Sequence, residues 1–307
     1  MSDPKWDVLG VGCNSVDYVY RLPASPRADS PTAKLRITSH HVMCGGQTAT
    51  AMAACAGLGL RAAYLGAIGH DHNGRTVRDE LQRRGVDVSA VLTRECANRF
   101  AVITVDETSG ERVVLWDRDD RLNLSPRELD PALIRSARLV HVDDEDQEAA
   151  IAAATIARQA GIPTTSDIDR LTSRTKDLVT AVSIPMFGEH VLPGLTGESD
   201  PERGLRALRQ WHDGVLCVTL GPRGAMLMVG DQTTSMPAFS VTAVDTTAAG
   251  DVFRAGFIRG YLAGYEPKAI LEFANAAAAI GCTRAGAMAS VPELNEVEAV
   301  IGGRALR

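Results

Sequence analysis

Aromatic side chains are scarce: Phe, Trp and Tyr together make up 5% of the 307 residues. The core is left to Val, Leu, Ile and abundant Ala, a mix that suits sheets covered by small-residue helices. Excess positive charge is also missing. Lys and Arg number 32 against 38 Asp and Glu, a net charge of −6 with His neutral. That excludes general binding to nucleic acid or to an anionic membrane surface, since both need clustered cations. The six cysteines, at 13, 44, 55, 96, 217 and 282, form no CxxC pair and no Cys/His cluster at zinc spacing. The histidines at 40, 41, 70, 72, 141, 190 and 212 show neither HExxH nor facial-triad spacing. GxxxxGK[ST] does not occur, so a P-loop enzyme has no support.

Long apolar runs are lacking too. Ile37 to Leu60 contains no Asp, Glu, Lys or Arg, but His40, His41, Gln47, Thr48, Thr50 and four glycines keep it from reading as a membrane span. MSDPKWDVLG shows no basic flank followed by an apolar core, so no signal peptide is expected. Thiols set in apolar stretches such as AMAACAGLG are read as buried and reduced, and the expected location is the cytoplasm.

What is present alternates between two periods. Trp6–Gly12 reads as a buried first strand, Asp17–Leu22 as a half-exposed one, and 44–59 as a helix opened by Gly45-Gly46. AAYLGAIG (62–69) reads as a second core strand, and Asp71 as the cap of the charged helix after it. Residues 98–116 read as two strands joined at Thr108-Ser-Gly110. Strand and helix then alternate through RLVHVD, DQEAAIAAATIARQAG, IPTTSDID, AVSIPMF, GVLCVTLG, RGAMLMVG and PAFSVTAVD (237–245), with a helix from about Ala249. The class is α/β, with a mostly parallel central sheet and helices on both faces. No repeat or Ser/Gly linker interrupts it, so a single domain over 1–307 is expected, with a small separate sheet from about 14–43 and 95–118.

In open α/β sheets the ligand site lies beyond the carboxyl ends of the strands. Those ends carry Asp17, Asp143, Asp144, Asp167, Asp169, Glu189, the turn Gly221-Pro-Arg-Gly224, and Asp245 through Asp251. Carboxylates gathered on one edge repel unless a cation intervenes, which points to Mg2+ held together with substrate phosphates. The ordinary alternative is helix capping, for which Asp144 and Asp146 are placed. Asp245-Thr-Thr-Ala-Ala-Gly-Asp251 is the most specific segment. A strand, a small-residue turn and a helix start converge free backbone N–H groups on an anion, with Asp251 in the first turn as a proton acceptor. Arg254, one turn on, is either a phosphate-neutralising cation or an exposed helical arginine. His141 is read as a hydrogen-bonded core residue.

These segments resemble the ribokinase-like (PfkB) carbohydrate kinases over nearly the whole chain. The motifs are Gly45-Gly46 running on to Gly66-Ala-Ile-Gly69-His-Asp71-His-Asn-Gly74, Thr219-Leu-Gly-Pro-Arg-Gly224, DTTAAGD (245–251), and Phe273-Ala-Asn275 with Gly286-Ala287. The resemblance implies a ribokinase-like fold with a small β lid, and transfer of the ATP γ-phosphoryl group to a sugar-like hydroxyl. Asp251 would be the base, with the anion hole at Ala248, Ala249, Gly250 and Asp251. Thr219, Gly221, Gly224 and Asn275 would meet the nucleotide. Asp17, Gly45, Gly46, Thr50, Asn98 and Asp143 would face the substrate, with Arg112 also nearby. Glu189 would help order Mg2+, through water. ATP and Mg2+ are the implied cofactors, a monovalent cation is a further one to test, and a homodimer through the lid is the implied assembly. No nucleic-acid or membrane partner is implied.

Three positions depart from the family pattern. Ala248 replaces a glycine, which a negative φ would tolerate. Met186 replaces the Asn of NxxE, which removes a polar contact to the metal-phosphate network, and Thr50 replaces the Asn of GGxxxN, so the sugar contacts differ from those of a ribokinase. A nucleoside kinase of the same fold is one alternative. A sugar- or nucleotide-binding regulator on a kinase scaffold is another, set against it by the retention of Asp251 and Glu189. Gly10-Val-Gly12-Cys-Asn-Ser15 lacks the last glycine of GxGxxG and runs into a strand-like segment, which disfavours a dinucleotide-binding oxidoreductase.

Overall fold

The computed structural model describes residues 3–26, 29, 34–109 and 111–303. Its strands and helices are, in chain order, β1 (Val8–Val11), β2 (Ser15–Leu22), β3 (Ser39–Gly45), α1 (Gln47–Gly57), β4 (Ala62–Leu65), β5 (Ala67–Gly69), α2 (His72–Arg83), β6 (Leu92–Arg94), β7 (Phe100–Asp106) and β8 (Arg112–Asp117). Then follow α3 (Pro131–Arg135), β9 (Val140–Asp143), α4 (Gln147–Gln159), β10 (Thr164–Asp167), α5 (Thr175–Ala181), β11 (Met186–Gly188), α6 (Leu192–Thr196) and α7 (Pro201–Arg209). The chain continues with β12 (Leu216–Thr219), β13 (Ala225–Val229), β14 (Gln232–Met236), α8 (Ala249–Leu262), α9 (Pro267–Cys282) and α10 (Leu294–Ile301).

Two four-stranded sheets, β10-β9-β1-β4 and β11-β12-β13-β14, are joined by parallel bridges from Thr165 to Ile184 and from Ile168 to Phe187. Pairing is parallel from β4 through β12 and antiparallel only at β13 and β14. Strand alternation sorts the core onto two faces. Leu9, Val11, Val140 and Val142 pack with Ala149, Ala153 and Ala157 of α4. Val8, Ala62 and Tyr64 pack with α1 and α8 on the other. The alanines of α1 allow close approach, and Gly256 of α8 lies against the Ala274 backbone of α9, where a Cβ would stand 2.8 Å from the Ala274 Cα. Asp71 caps α2, accepting from the Gly74 N–H at 2.8 Å.

The early β segments build a sheet of their own, in the order β3-β2-β7-β8. Its two flanking pairings are antiparallel and its central one, β2 with β7, is parallel. Pro31 and Gly110, read from the sequence into its connections, lie outside the described residues.

Two strand readings need correction. Residues 62–69 split into β4 and β5 at Gly66, where the Tyr64 hydroxyl and the Gly12 carbonyl occupy the place of a side chain. The strand expected over 237–245 forms instead at 232–236, pairing with β13, and the chain from Pro237 onward is irregular. All six cysteines are free, four of them buried. Among the described residues no helix is long and apolar enough to cross a membrane.

Candidate active site

The carboxyl edge of the central sheet opens into two cavities. One, of about 390 Å³, is lined by Glu189, Thr219, Gly221, Thr246, Ala248 to Asp251, and Arg254. The other, of about 370 Å³, lies under the small sheet and is lined by Asp17, Gly46, Arg99, Trp116, Thr247 and Ala287. Gln47, Asp169 and Asp251 border both. Asp251 therefore stands where the two spaces meet.

Local chain geometry puts it there. Asp245 accepts from the Thr247 N–H at 2.9 Å and from the Gly286 N–H at 3.0 Å, which folds the turn before α8. Ala248 is the N-cap residue at φ 64°, ψ 8°. It is the only non-glycine residue at positive φ among the described residues, a conformation that costs an L-residue about 1–2 kcal/mol. The negative φ expected for a tolerated alanine is thus corrected. The Ala249 N–H donates to Thr246 O at 3.2 Å. The N–H groups of Ala248, Gly250 and Asp251 have no acceptor among the described residues, so of the four expected donors only that of Ala249 is spent. Three free donors at a helix N-terminus suit a phosphate.

Burial and the neighbouring Asp167 carboxylate push the Asp251 carboxyl well above the usual carboxylate range, opposed by Arg254. Burial likewise raises Asp167, again opposed by Arg254. Arg254 is 3% exposed and its Nη2 pairs with Asp167 Oδ1 at 2.5 Å, which overturns the exposed-arginine alternative. His141 is buried neutral: its Nδ1 meets Thr165 Oγ1 at 3.0 Å, and burial first and Arg254 second lower it to about 3.

Other expected residues divide into those at the cavities and those spent on scaffolding. Asp17, raised by burial, takes a 2.8 Å bond from Ser15 Oγ and faces the second cavity. Gly46 lines it at φ 94°, against the Asn14 backbone. Gly45 sits beside the Asp17 carboxylate, where a Cβ would meet Oδ2 at 2.7 Å. Glu189 borders the first cavity and pairs with Arg223. Thr219 and Gly221 border it as well.

Asp143 is instead held by the Cys13 N–H and Thr48 Oγ1, both at 2.7 Å, and by the Glu145 N–H at 3.1 Å. This explains Gly12, since a side chain there would strike the Asp143 carboxylate and Thr48. The Asn98 amide accepts from the Gly69 N–H and donates to Asn14 Oδ1 and Arg99 O. Asn275 ties α9 to Met236 O and Pro237 O. Thr50 is buried, its hydroxyl without a partner. Gly224, at φ 96°, packs against Met236 O in a turn. Met186 is core. Asp146 is the N-cap residue of α4, as its place before the helix suggests, but its carboxylate makes no capping hydrogen bond. Asp146 binds Arg118 and the Leu124 N–H, and Asp144 binds the Asp169 and Arg170 N–H groups.

Sequence reasoning missed Gln47, which follows the glycine pair, and the cavity wall of Arg99 stacked on Trp116 at 5.5 Å. Arg112 of β8 reaches across to Thr247 Oγ1 at 3.0 Å, joining the small sheet to the turn before α8. Among the described residues, no cluster of three or more His, Cys, Asp or Glu could hold a metal by protein groups alone. Glu189 and Asp169, both lining the first cavity, fit Mg2+, which takes most of its ligands from phosphates and water.

Known proteins resemble the chain in sequence and in fold. An ATP-dependent ribose-1-phosphate kinase of Halopiger xanaduensis is 31% identical, covering 97% of this chain and 98% of its own. A nucleoside kinase of Methanothermobacter thermautotrophicus is 27% identical, covering 94% of each. A crystal structure from Agrobacterium tumefaciens, described as a candidate ribokinase, superposes with a TM-score of 0.89 at 28% identity, covering 96% of this chain and 97% of that one. Residues 15–294 match the profile of the pfkB family carbohydrate kinases. With that match across most of its length and a two-cavity site to accompany it, the chain belongs to the pfkB family of ATP-dependent carbohydrate kinases.

Proposed function

We propose that the protein transfers the γ-phosphoryl group of ATP to a hydroxyl of a sugar or sugar derivative, with Asp251 as the base. The observation that carries this is the place of Asp251 at the junction of two cavities, beside three unpartnered N–H groups. ATP occupies the cavity bounded by Thr219, Gly221 and Glu189. The acceptor occupies the cavity of Asp17, Gly46 and Trp116, under the small sheet acting as a lid. The acceptor oxygen bonds to the γ-phosphorus and its proton goes to Asp251. The bond to the β–γ bridging oxygen breaks, and its electrons leave with ADP.

A base works best with a proton affinity near the working pH. Burial and Asp167 move Asp251 in that direction. Positioning and charge stabilisation supply most of the catalysis in such transfers. Mg2+, when bound near Glu189, offsets phosphate charge. Scaffolding use of Asn98 and Asp143 leaves Asp17 as the leading acceptor for substrate hydroxyls. Exposed Val113 and Leu115 on β8, with Val42 on β3, lie on the sheet face away from the cavity and offer a lid face for a second copy. An ATP-consuming enzyme with free thiols suits the cytoplasm.

ADP release from MgATP across ketoses, aldoses, sugar acids, sugar phosphates and nucleosides tests the reading, with Asp251→Asn alongside. Turnover that depends on one acceptor and collapses in the variant is expected. A preference for nucleosides would move the assignment to the nucleoside-kinase alternative. Binding of ATP and a sugar without ADP formation would overturn the reading in favour of a regulator.

A further inference from the structure

The buried pair of Asp167 and Arg254 has no part in the reaction as stated above. We propose that Arg254 is the cation that faces the transferring phosphoryl group, and that Asp167 is a positioning residue that holds its guanidinium there. This rests on the kinase reading.

Helical side chains lean back over the preceding turn, so Arg254 covers the start of α8. Its Nη1 lies 2.7 Å from where a Gly250 Cβ would stand. Glycine at that position leaves the space the guanidinium fills. Nη2 is clamped by Asp167 from β10. The planar fork thus sends one nitrogen to a carboxylate and the other against Gly250, at a cavity wall Arg254 itself forms. Arginine makes such two-ended contacts with carboxylate and phosphate, and lysine does not.

Burial sharpens the point. An arginine 3% exposed is costly unless its donors are met. Asp167 is its single ion-pair partner among the described residues, and its Nε has no acceptor. His141 Nε2, on the facing strand, is also without a partner. The charged and titratable groups bearing on this spot are His141 and Asp143 from β9, Asp144 after it, Asp167 from β10 and Asp169 after it, Cys217 from β12, and Asp251. Carboxylates dominate that set. A phosphoryl group brought next to Asp251 would meet repulsion from them, and Arg254 is the cation among those groups that offsets it.

Calorimetry of Mg·ADP binding, with and without aluminium fluoride as a mimic of the phosphoryl in transit, tests this without knowledge of the sugar. Wild type is expected to bind Mg·ADP more tightly with fluoride present. Arg254→Met should lose most of that gain and keep its affinity for Mg·ADP alone. With an acceptor from the panel, its kcat should fall about 10²–10³-fold, the range for removing one transition-state donor, and its KM for ATP should stay nearly unchanged. Arg254→Lys should recover only part, and Asp167→Asn should show the same split in weaker form. The double variant Asp167→Asn with Arg254→Met removes both charges together, so it is expected to fold and to show the same fluoride loss. Retention of the fluoride gain and of kcat by both Arg254→Met and the double variant would overturn the proposal and leave a packing role. A wild type that binds Mg·ADP but gains nothing from fluoride would overturn the proposal alone. A wild type that binds no Mg·ADP would overturn the kinase reading and the proposal with it.

Discussion

The central sheet and the small sheet differ in what surrounds them. Strands β1, β4, β9 and β10 are buried at every residue and lie between helices. In the small sheet, β7 is mostly half-buried and every residue of β8 is exposed. The central sheet can therefore hold charged groups in fixed positions away from water, where Asp251, Asp167 and Arg254 act strongly on one another. The small sheet has little buried surface tying it down, and Arg112 joins it to the turn before α8 by a hydrogen bond between exposed side chains. A packed half that fixes charged groups, with a loosely held half beside it, is the division a lid needs.

Substitutions in the two halves should break differently. Asp251→Asn strikes the chemistry, and acceptor-dependent ADP release should fall by about 10²–10⁴-fold, the usual contribution of a positioned base. Its melting temperature should hold or rise, because the variant no longer buries an ionisable carboxyl. Gly46→Ala tests the packed side. The new methyl meets the Asn14 backbone at a positive φ, and urea unfolding should show a loss of about 2–4 kcal/mol.

The pH dependence of stability separates two buried groups of opposite sign. His141 sits at about 3 when folded against about 6.5 when unfolded. Below the unfolded value the unfolded chain takes a proton that the folded one refuses, so acidification toward 3 costs stability. Asp251 is raised, so the folded chain keeps a proton that the unfolded one loses, and acidification favours the fold. Between pH 7 and 5 the stability of Asp251→Asn should therefore fall more steeply than that of wild type, by up to about 1.4 kcal/mol per pH unit. Parallel slopes in urea titrations would contradict this coupling.

The small sheet should respond more mildly. Arg112→Ala should raise the KM for the acceptor about three- to tenfold and leave stability within about 0.5 kcal/mol, as for surface changes generally. A loss of stability comparable to that of Gly46→Ala would erase the contrast between the halves. Ala248→Gly should have the smallest effect. Relief of the left-handed backbone, offset by the greater freedom of glycine in the unfolded chain, leaves a gain of about 1 kcal/mol or less, readable as a small rise in melting temperature.

Most of what local patterning governs was readable from the residues. Strand and helix periods gave the α/β class, Asp71 was placed at its cap, and the small-residue turn put Asp251 in the first turn of α8. Such features depend on neighbours a few positions apart, where backbone preference and side-chain period act directly. The strand expected over 237–245 failed because its residues compete with 232–236 for the edge of β13, and edge pairing is a contest between segments.

Roles that need a partner from elsewhere in the chain were not readable. Asp143 and Asn98 look like ligand groups until the Cys13 N–H, Thr48, Asn14 and Gly69 are seen to occupy them. Arg254 looks like a solvated helical arginine until Asp167 arrives from another strand. Composition, periodicity and motif order thus suffice for the class of fold, the family and the position of Asp251 at the start of α8. Which carboxylates are free, which arginine is buried and which way Ala248 turns follow from strand register and helix packing, because each is decided by atoms that only folding brings within reach.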